Sequence, residues 1–304
     1  MVYVIIVTYN GENFIRKCLS SLFNSSAEIK IILVDNNSTD STLQIIKSEF
    51  PEIFLIESNT NNGFAAANNI GIKSALQHNP EYIFLLNQDA WVEENTIQEL
   101  ITISSTNSSY GIISPVHLNG TYTDLDIKFA NYLAPQECPG LLSDLYLSKL
   151  KNIYEAVFVN AAAWLITADC INRTGIFDPL FFFYGEDSNY LQRAKFHGFK
   201  IGITTKCTIC HDREVRQGQL NSIEIKKLAR SQSLVVLLNV QESFKKCSYA
   251  FFYQKLYQII NLLSEKKFSQ LKYQFRELFF FFTNMGKLKR IRKNYSQPTA
   301  INID

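Results

Sequence analysis

Several carboxylate and amide side chains in this sequence follow short apolar runs, in positions where they can bind a ligand or a metal ion. Asp35 ends the apolar run 29–34, and Asn87-Gln88-Asp89 ends the run 82–86. A carboxylate such as Asp35 can accept hydrogen bonds from a pyrimidine imide or a ribose hydroxyl. A carboxylate such as Asp89 can give oxygen to Mg²⁺ or Mn²⁺. The alternatives are a turn role for Asp35 and a helix cap before residues 91–100 for Asp89.

The pair Glu186-Asp187 is a candidate for proton transfer. It follows the aromatic run 181–184 and Gly185, and a helical pattern begins directly after it. A carboxylate beside apolar walls holds its proton more tightly, which suits a general base that takes a proton from a hydroxyl. The alternative is a pair of acids favoured by the dipole at a helix N-terminus, and both readings can hold together.

Alternating strands and helices must position these side chains. Strand, helix and strand repeat through the first 90 residues, which predicts a doubly wound, mostly parallel sheet with helices on both faces. Ligands bind such sheets beyond the carboxyl ends of the strands. The predicted strands are 2–7, 29–34, 53–57 and 82–86, and the polar clusters that follow them are 8–10, 35, 59–63 and 87–89.

The remainder of the chain changes in character twice. Residues 107–214 have a mixed pattern, with strands predicted at 157–160, 163–167 and 201–205 and a helix at 188–197. From about residue 219 the pattern is helical and amphipathic. Residues 1–214 carry 14 basic and 23 acidic side chains, whereas residues 215–304 carry 16 and 5. We therefore predict two domains, 1–214 and 215–304.

The composition excludes several classes of protein. With 46% hydrophobic and 19% charged residues, the chain is too apolar to be disordered. No apolar run approaches the roughly 18 residues of a membrane-spanning helix, which excludes a multipass membrane protein. The opening residues MVYVIIVTYN read as a strand rather than a signal peptide, so we expect a cytoplasmic protein. Its six cysteines are then not expected to form a disulfide framework, and those other than Cys207 and Cys210 are expected to be small buried side chains.

Five motifs in order give the chain a family resemblance. They are VTYN at 7–10, VDNNSTDST at 34–42, NNGFAAANNIG at 61–71, LLNQDA at 85–90 and FFYGEDSNYLQRAKFHGFKI at 182–201. Over about residues 1–215 the chain resembles the family 2 glycosyltransferases, and most of all the bacterial rhamnosyltransferase-like branch that builds surface polysaccharides. The resemblance implies a GT-A fold, which is a Rossmann-like α/β fold, with the C-terminal helices as an extension.

The same resemblance implies an activity and a set of site residues. The activity is inverting transfer of a sugar from a nucleoside-diphosphate sugar to a hydroxyl of a glycan or lipid-linked acceptor. Asp187 is implied as the base, with Glu186 orienting the acceptor. Asp89 is implied as the ligand of Mg²⁺ or Mn²⁺, helped by His211, although Asn87 replaces the first acid of the family's DxD motif. The donor residues are Thr8, Tyr9, Asn10, Asp35, Asn62, Gly63, Asn69, Asn87 and Asp89, and the acceptor residues are Asn160, Ala161, Trp164 and Tyr184.

Other activities fit the motifs less well. Cys207-Thr208-Ile209-Cys210-His211 has the spacing of a haem attachment motif, but that reading requires export, and a zinc site there would need another ligand. A nucleotidyltransferase on a similar sheet would usually have a basic loop after its first strand, whereas the loop here is TYNGEN. A catalytically weak sugar-nucleotide-binding or scaffold protein of a polysaccharide assembly complex is the alternative that Asn87 favours.

The C-terminal region combines aromatic residues with a basic cluster at 287–293. This combination is typical of helices that lie on anionic lipid, so we expect contact with the inner membrane surface. A helical homodimer interface and packing against the catalytic domain are the alternatives. Nucleic-acid binding is not expected, because no recognition motif accompanies the basic cluster.

Overall fold

A computed structural model describes residues 1–182, 184–213 and 222–298. The described residues form two compact units. One unit consists of residues 1–172 and 198–213, and the other of residues 173–197 and 222–298. The predicted domain boundary between residues 214 and 215 lies outside the described residues.

The first unit is built on a nine-stranded sheet. The strands are β1 Val2–Thr8, β2 Ile29–Asp35, β3 Phe54–Glu57, β4 Tyr82–Asn87, β5 Ala90–Val92, β6 Tyr110–Leu118, β7 Ile153–Glu155, β8 Ala163–Thr167 and β9 Lys200–His211. The helices that precede residue 175 are α1 Ile15–Phe23, α2 Thr42–Glu49, α3 Gly63–Leu76, α4 Thr96–Thr106, α5 Phe129–Tyr132, α6 Leu141–Tyr146 and α7 Ala168–Thr174.

The sheet is mostly parallel in its first half, as the sequence predicts. Its strand order is β3-β2-β1-β4-β8-β6-β9-β5, with β7 paired to β9. The first four strands of that order are parallel, β8 is antiparallel to both of its neighbours, and β6 is parallel to β9. Because the four parallel strands point the same way, their carboxyl ends share one edge of the sheet.

One predicted strand is wrong, and the alternative that Asp89 caps a helix is excluded. Residues 157–160 form no strand, because the pairing with β9 ends where the Ala156 N–H donates to the Ile201 carbonyl, and the Val157 N–H then donates to Glu137. Residues 91–100 form no single helix, because β5 pairs with the end of β9 before α4 begins at Thr96. Asp89 therefore precedes a strand and does not cap a helix.

The core of the first unit explains its sequence pattern. Strand residues such as Val4, Ile6 and Phe84 are fully buried, and α1 adds Cys18 and Leu19 from its apolar face. Burial on both faces of the central strands accounts for their nearly continuous apolar sequence. All six cysteines are buried, as predicted for those other than Cys207 and Cys210.

The second unit contains four helices in its described part. They are α8 Glu186–Phe196, α9 Ser222–Leu237, α10 Phe244–Ser264 and α11 Phe268–Tyr295. Apolar side chains from α9, α10 and α11 form the core. The rings of Phe251 and Phe281 are stacked there, with their centroids 5.3 Å apart. In the described part of the chain, no helix combines the length and the apolar character that crossing a bilayer requires.

Buried charges connect the helices of the second unit. Glu277 on α11 is completely buried and accepts from Arg230 Nε at 2.6 Å and from Arg276 Nη2 at 3.2 Å. Lys255 on α10 is also buried, and its Nζ donates to Gln258 and Gln274. Burial lowers the pKa of Lys255 to about 8, an effect that the charge of Glu277 opposes.

We expect Glu277→Ala to destabilise the protein, because it leaves two cations without their carboxylate. Breaking a fully buried ion pair costs about 3–5 kcal/mol. Both arginines are 31% exposed, so water offsets part of the loss and we expect about 2 kcal/mol. Glu265→Ala is the matched control, since the Glu265–Lys267 pair is exposed and contributes less than about 1 kcal/mol. The measurement is urea unfolding followed by far-UV circular dichroism. Equal midpoints for the two variants would contradict the assigned role of Glu277.

Candidate functional site

Strand register brings the predicted donor residues together at the carboxyl edge of the sheet. Thr8 at the end of β1 pairs with Asp35 at the end of β2, and Asp35 pairs in turn with Glu57 on β3. On the other side of β1, Val7 pairs with Asn87 at the end of β4. Residues far apart in sequence therefore lie side by side along one edge.

Asp35 has one carboxylate oxygen engaged and one without a partner. The side chain is 1% exposed, and its Oδ2 accepts from the backbone N–H groups of Asn37 and Ser38, both at 3.1 Å. Its Oδ1 is buried and has no hydrogen-bond partner among the described residues. Buried polar atoms are nearly always hydrogen-bonded, so this oxygen is available to a ligand hydroxyl or imide.

Gln88 joins the β4 end to the β1 end, a role that sequence reasoning missed. Its Oε1 accepts from Thr8 Oγ1 at 2.6 Å and from the Tyr9 N–H at 2.9 Å, and its Nε2 donates to the Tyr9 carbonyl. This bonding leaves no room beside Gly11, where an added Cβ would lie 2.4 Å from Gln88 Oε1. Tyr9 itself remains 44% exposed, so its ring can contact a ligand.

Asparagine side chains shape the loops after β2 and β3. Asn36 is buried and accepts from the Asn62 N–H at 2.8 Å, which fixes the turn into α3. Gly63 begins that helix with φ of 78°, a backbone conformation that favours glycine. Asn10 accepts from the Thr39 N–H at 2.8 Å, and so holds the β1 loop to the β2 loop.

Asn69, another predicted donor residue, lies on α3 with 8% of its surface exposed. The structure thus places it on the helix that Gly63 begins, one to two turns from the carboxyl edge. Its role in donor binding stays a prediction.

Asp89 and His211 lie together at the end of the sheet. His211 Nε2 is 3.4 Å from Asp89 Oδ1, because Ala90 pairs with His211 in the β5–β9 ladder. On the other side of the ring, His211 Nδ1 is 3.6 Å from Asp126 Oδ2. Asp126 is held by the N–H groups of Lys128 and Phe129 and by Arg213 Nε.

The order Asp89, His211, Asp126 is that of a metal-binding histidine whose second nitrogen faces a carboxylate. At 3.6 Å this contact is electrostatic and not a hydrogen bond, and Nδ1 has no hydrogen-bond partner among the described residues. Asp126 was not identified from the sequence, because it lies far from every motif. Its place before α5 is the one local signal, since an aspartate there can cap the helix.

The donor atoms at Asp89 and His211 suit a divalent cation that also binds a diphosphate. Among the described residues there is no group of three or more His, Cys, Asp or Glu side chains that could hold a metal alone. Mg²⁺ is commonly bound through one or two carboxylates together with substrate phosphates, so two protein ligands are sufficient. Asn87 Nδ2 lies 3.5 Å from His211 Nε2, which adds an amide beside this pair.

Cys207 and Cys210 do not form a site with His211. They lie on β9 three residues apart, so their side chains point to opposite faces of the strand. Burial raises the pKa of the Cys207 thiol to about 12, and both side chains are core residues. This geometry does not suit either the haem or the zinc interpretation of the motif.

The predicted acceptor residues have different surroundings. Ala161 is buried near the carboxyl end of β4, where the neighbouring Ala162 carbonyl accepts from the Asn87 N–H at 2.9 Å. Asn160 Oδ1 is buried, and in the part of the chain that the structure describes it has no hydrogen-bond partner, so it is available to a ligand. Trp164 on β8 is completely buried, so its ring offers no face for a sugar and we do not retain it as an acceptor residue. Tyr184 belongs to the second unit and is 47% exposed.

Glu186 and Asp187 begin α8 in the second unit. Gly185 precedes them with φ of 88°, and Asp187 Oδ1 accepts from the Ser188 N–H at 2.7 Å. Burial raises the pKa of Asp187 to about 6, against the effect of its bonds to Ser188. Burial and the charge of Asp187 together raise the pKa of Glu186 to about 8. A carboxylate with a raised pKa is suited to take a proton near neutral pH.

Arg193 holds the first turns of α8 in place. It is completely buried, and it donates to Asn189 Oδ1 on its own helix and to the Thr174 and Ile176 carbonyls. Its guanidinium also lies over the ring of Tyr295, at 5.1 Å from the ring centroid. The helix start that carries Glu186 and Asp187 is thereby fixed to its own unit.

Comparison with known proteins decides the family. Residues 3–141 match the family model described as "Glycosyl transferase family 2". This part of the chain belongs to glycosyltransferase family 2. The match contains Asp35 and Asp89, and it ends before Glu186, Asp187 and His211.

Several proteins with similar sequences are glycosyltransferases by name. The chain is 28% identical over 221 residues to the low-salt glycan biosynthesis hexosyltransferase Agl10 of Haloferax volcanii, covering 72% of this chain and 69% of that protein. It is 24% identical over 212 residues to the dTDP-rhamnosyl transferase RfbF of Shigella flexneri, covering 69% and 68%. It is 25% identical to the glycosyltransferase GlyA of Streptococcus pneumoniae, but covers only 35% of that longer protein.

Solved structures confirm the GT-A fold. The mannosyltransferase PcManGT from Pyrobaculum calidifontis, in complex with GDP-Man and Mn²⁺, matches 93% of this chain and 75% of its own with a TM-score of 0.57 and 16% identity. S. aureus TarS 1-349 in complex with UDP matches 81% and 68% with a TM-score of 0.55 and 15% identity. At these identities the likeness concerns the fold.

We expect Gly11→Ala to weaken nucleotide binding, because the added methyl group displaces Gln88 from Thr8 and Tyr9. The expected loss is about tenfold in affinity, which corresponds to about 1.4 kcal/mol. Gly286→Ala is the matched control, since an added Cβ there meets nothing within 4 Å. Affinity is measured by calorimetric titration of the nucleoside diphosphate that binds the native chain. Unchanged affinity in Gly11→Ala would show that the Gln88 contacts do not shape the site.

Proposed function

We propose that this protein transfers a sugar from a nucleoside-diphosphate donor to a hydroxyl group, with inversion at the anomeric carbon. One observation carries the proposal. Asp35, whose Oδ1 has no partner among the described residues, lies on the sheet of the first unit, and so does the Asp89–His211 pair. Each lies at or next to the carboxyl ends of the strands. This arrangement can bind a nucleoside at one end and a cation with its diphosphate at the other.

The donor residues have separate tasks in this proposal. Asp35 Oδ1 accepts a hydrogen bond from the base or the ribose, and the exposed ring of Tyr9 forms a wall beside the base. The loops of Asn10, Asn62 and Gly63 lie around the nucleotide. Asn10 accepts from the Thr39 N–H, and the Asn62 N–H donates to Asn36. Gln88 keeps the Tyr9 backbone in position.

Asp89 and His211 would hold a divalent cation, either Mg²⁺ or Mn²⁺. When bound, such a cation neutralises the negative charge that develops on the leaving nucleoside diphosphate. Asp126 lies on the Nδ1 side of the His211 ring, whereas Nε2 lies 3.4 Å from Asp89 Oδ1. The chain's own contribution is therefore to fix two ligand atoms 3.4 Å apart.

Asp187 is proposed as the base. Its carboxylate takes the proton of the acceptor hydroxyl while that oxygen forms a bond to the anomeric carbon and the nucleoside diphosphate leaves from the opposite face. Attack and departure on opposite faces invert the configuration. Glu186 orients the acceptor, and its raised pKa keeps it protonated at neutral pH, so that it can donate a hydrogen bond.

The acceptor is proposed to be a glycan or a lipid-linked glycan of a surface polysaccharide, with Asn160 and Ala161 beside it. The role of Tyr184 in acceptor binding stays a prediction. Small side chains at 161–163 leave room for a sugar ring. The names of Agl10 and RfbF associate those relatives with glycan biosynthesis and with dTDP-rhamnosyl transfer. Rhamnose, with dTDP as its carrier, is accordingly one of the donors to be tested.

A sugar-nucleotide-binding or scaffold protein without turnover is the second candidate. It is favoured by Asn87, whose amide lies 3.5 Å from His211 where the DxD motif would have a carboxylate. The two candidates differ in whether a glycosidic bond forms. They agree on nucleotide binding, so binding alone does not separate them.

The decisive experiment is product analysis with Asp187→Asn. The native chain, given nucleotide sugar, acceptor and Mn²⁺, should form a glycoside whose anomeric configuration, read by NMR, is opposite to that of the donor. Asp187→Asn should lose roughly 10²–10⁴ in kcat/KM, because it removes the base. Asp169→Asn, on α7, is a carboxylate control outside the proposed site. Near-native turnover in Asp187→Asn would remove Asp187 from this role, and retained configuration would refute inversion.

The raised pKa of Asp187 predicts a pH profile. A base acts only when it is deprotonated, so kcat/KM should fall about tenfold per pH unit below about pH 6 and level off above it. Initial rates between about pH 4.5 and 8, at fixed ionic strength, provide the profile. A flat profile through pH 5, with the protein still folded by circular dichroism, would exclude a base with this pKa.

A further inference from the structure

Helix α10 carries an apolar stripe on its exposed side. Seven large side chains are each more than one third exposed, and their spacing of three, four and seven residues places them on one face of the helix. They are Tyr249, Phe252, Tyr253, Leu256, Tyr257, Ile260 and Leu263. The opposite face, marked by the buried Cys247, Phe251 and Lys255, already packs inside its unit.

Helix α11 continues this stripe. Phe268, Phe275, Phe279 and Phe282 are 57–69% exposed and again share one helix face. The two stripes meet where the rings of Phe252 and Phe282 approach to 5.8 Å. We refer to these eleven side chains as the aromatic face. Large contiguous apolar patches on a protein surface usually mark an interaction site.

Basic side chains surround the aromatic face. Residues 244–295 contain twelve Lys and Arg but two acidic residues, of which Glu277 is buried in ion pairs and Glu265 pairs with Lys267. The helical repeat of α11 places Lys289 and Lys293 in line with Phe275 and Phe282. The other exposed cations are Lys245, Lys246, Lys266, Lys267, Lys272, Lys287 and Arg290.

Charge decides between the two occupants that such a face could have. A second copy docked face to face would bring two strongly basic rims together, and like charges across an interface oppose association. An anionic bilayer presents negative headgroups to the rim and an apolar layer beneath them to the aromatic rings. Tyrosine is also favoured at the boundary between these layers, and three of the eleven side chains are tyrosines.

We propose that the α10–α11 hairpin lies on an anionic phospholipid bilayer, with its aromatic face in the interfacial layer and its basic rim on the headgroups. The hairpin would rest on the membrane without crossing it. This inference does not rest on the proposed transferase activity, because it follows from the surface of the second unit alone. It would, however, place the enzyme where a lipid-linked acceptor is found.

The test is co-sedimentation of the full chain with vesicles. Phosphatidylcholine vesicles containing about 30% phosphatidylglycerol should bind the protein at least tenfold more tightly than pure phosphatidylcholine, and binding should weaken as salt rises from about 0.1 M to about 0.5 M. The triple variant Phe275→Ser, Phe279→Ser, Phe282→Ser should lose at least tenfold in partitioning. Tyr146→Ser is the control, since Tyr146 is 89% exposed in the other unit.

Two further experiments test the role of the basic side chains and the depth at which the aromatic face enters the bilayer. The variant Lys289→Glu, Arg290→Glu, Lys293→Glu should lose the preference for anionic vesicles, whereas Lys149→Glu, in the first unit, should keep it. A Phe279→Trp variant should show additional fluorescence that brominated lipid quenches.

Three results would overturn the proposal. They are absence of vesicle binding, equal binding to neutral and anionic vesicles, and concentration-dependent dimers in analytical ultracentrifugation that the triple phenylalanine variant abolishes. The last result would assign the aromatic face to a second copy of the chain.

Discussion

The pairing of β5 with the end of β9 is the constraint on which the proposed donor site depends. Alignment of Ala90 with His211 leaves Asp89 and the imidazole side by side, at the end of a strand that begins more than one hundred residues later. The same ladder continues when the Asp212 N–H donates to the Asp89 carbonyl at 2.9 Å. Without this short pairing, Asp89 would stand at the end of β4 without the imidazole of His211 beside it.

In the second unit, the carboxyl groups of Glu186 and Asp187 are shielded from water and held in position. Burial at the start of α8 raises the pKa of Asp187 and Glu186, and the fully buried Arg193 fixes the helix that carries them. Elsewhere in that unit, Glu277 and Lys255 are buried with polar partners, whereas apolar rings are exposed. The unit keeps an apolar core as well, so the exposed aromatic face of the α10–α11 hairpin supports the proposed contact with a bilayer.

The sequence predicts the elements with strong local signals and misses those that depend on distant partners. The apolar runs at β1, β2 and β4 give the parallel half of the sheet, and Asp35 and Asp89 follow from their places at strand ends. The role of Gln88 depends on its hydrogen bonds to Tyr9, and the role of Asp126 depends on its distance to His211. Neither contact can be predicted from the neighbouring sequence. The β5 strand is three residues long and forms because it pairs with β9. The sequence around it has no strand signal of its own, and residues 91–100 therefore look helical.

The central claim is that Asp89 binds a divalent cation together with a nucleoside diphosphate, and calorimetric titration tests it most directly. UDP, GDP and dTDP are titrated with and without Mn²⁺ into the native chain, into Asp89→Asn and into Asp124→Asn, an exposed aspartate of the same unit. One nucleotide should bind at least tenfold more tightly with Mn²⁺, which is at least about 1.4 kcal/mol. Asp89→Asn should lose that gain and Asp124→Asn should keep it. A gain that survives in Asp89→Asn, or no binding of any of the three nucleotides, would contradict the account.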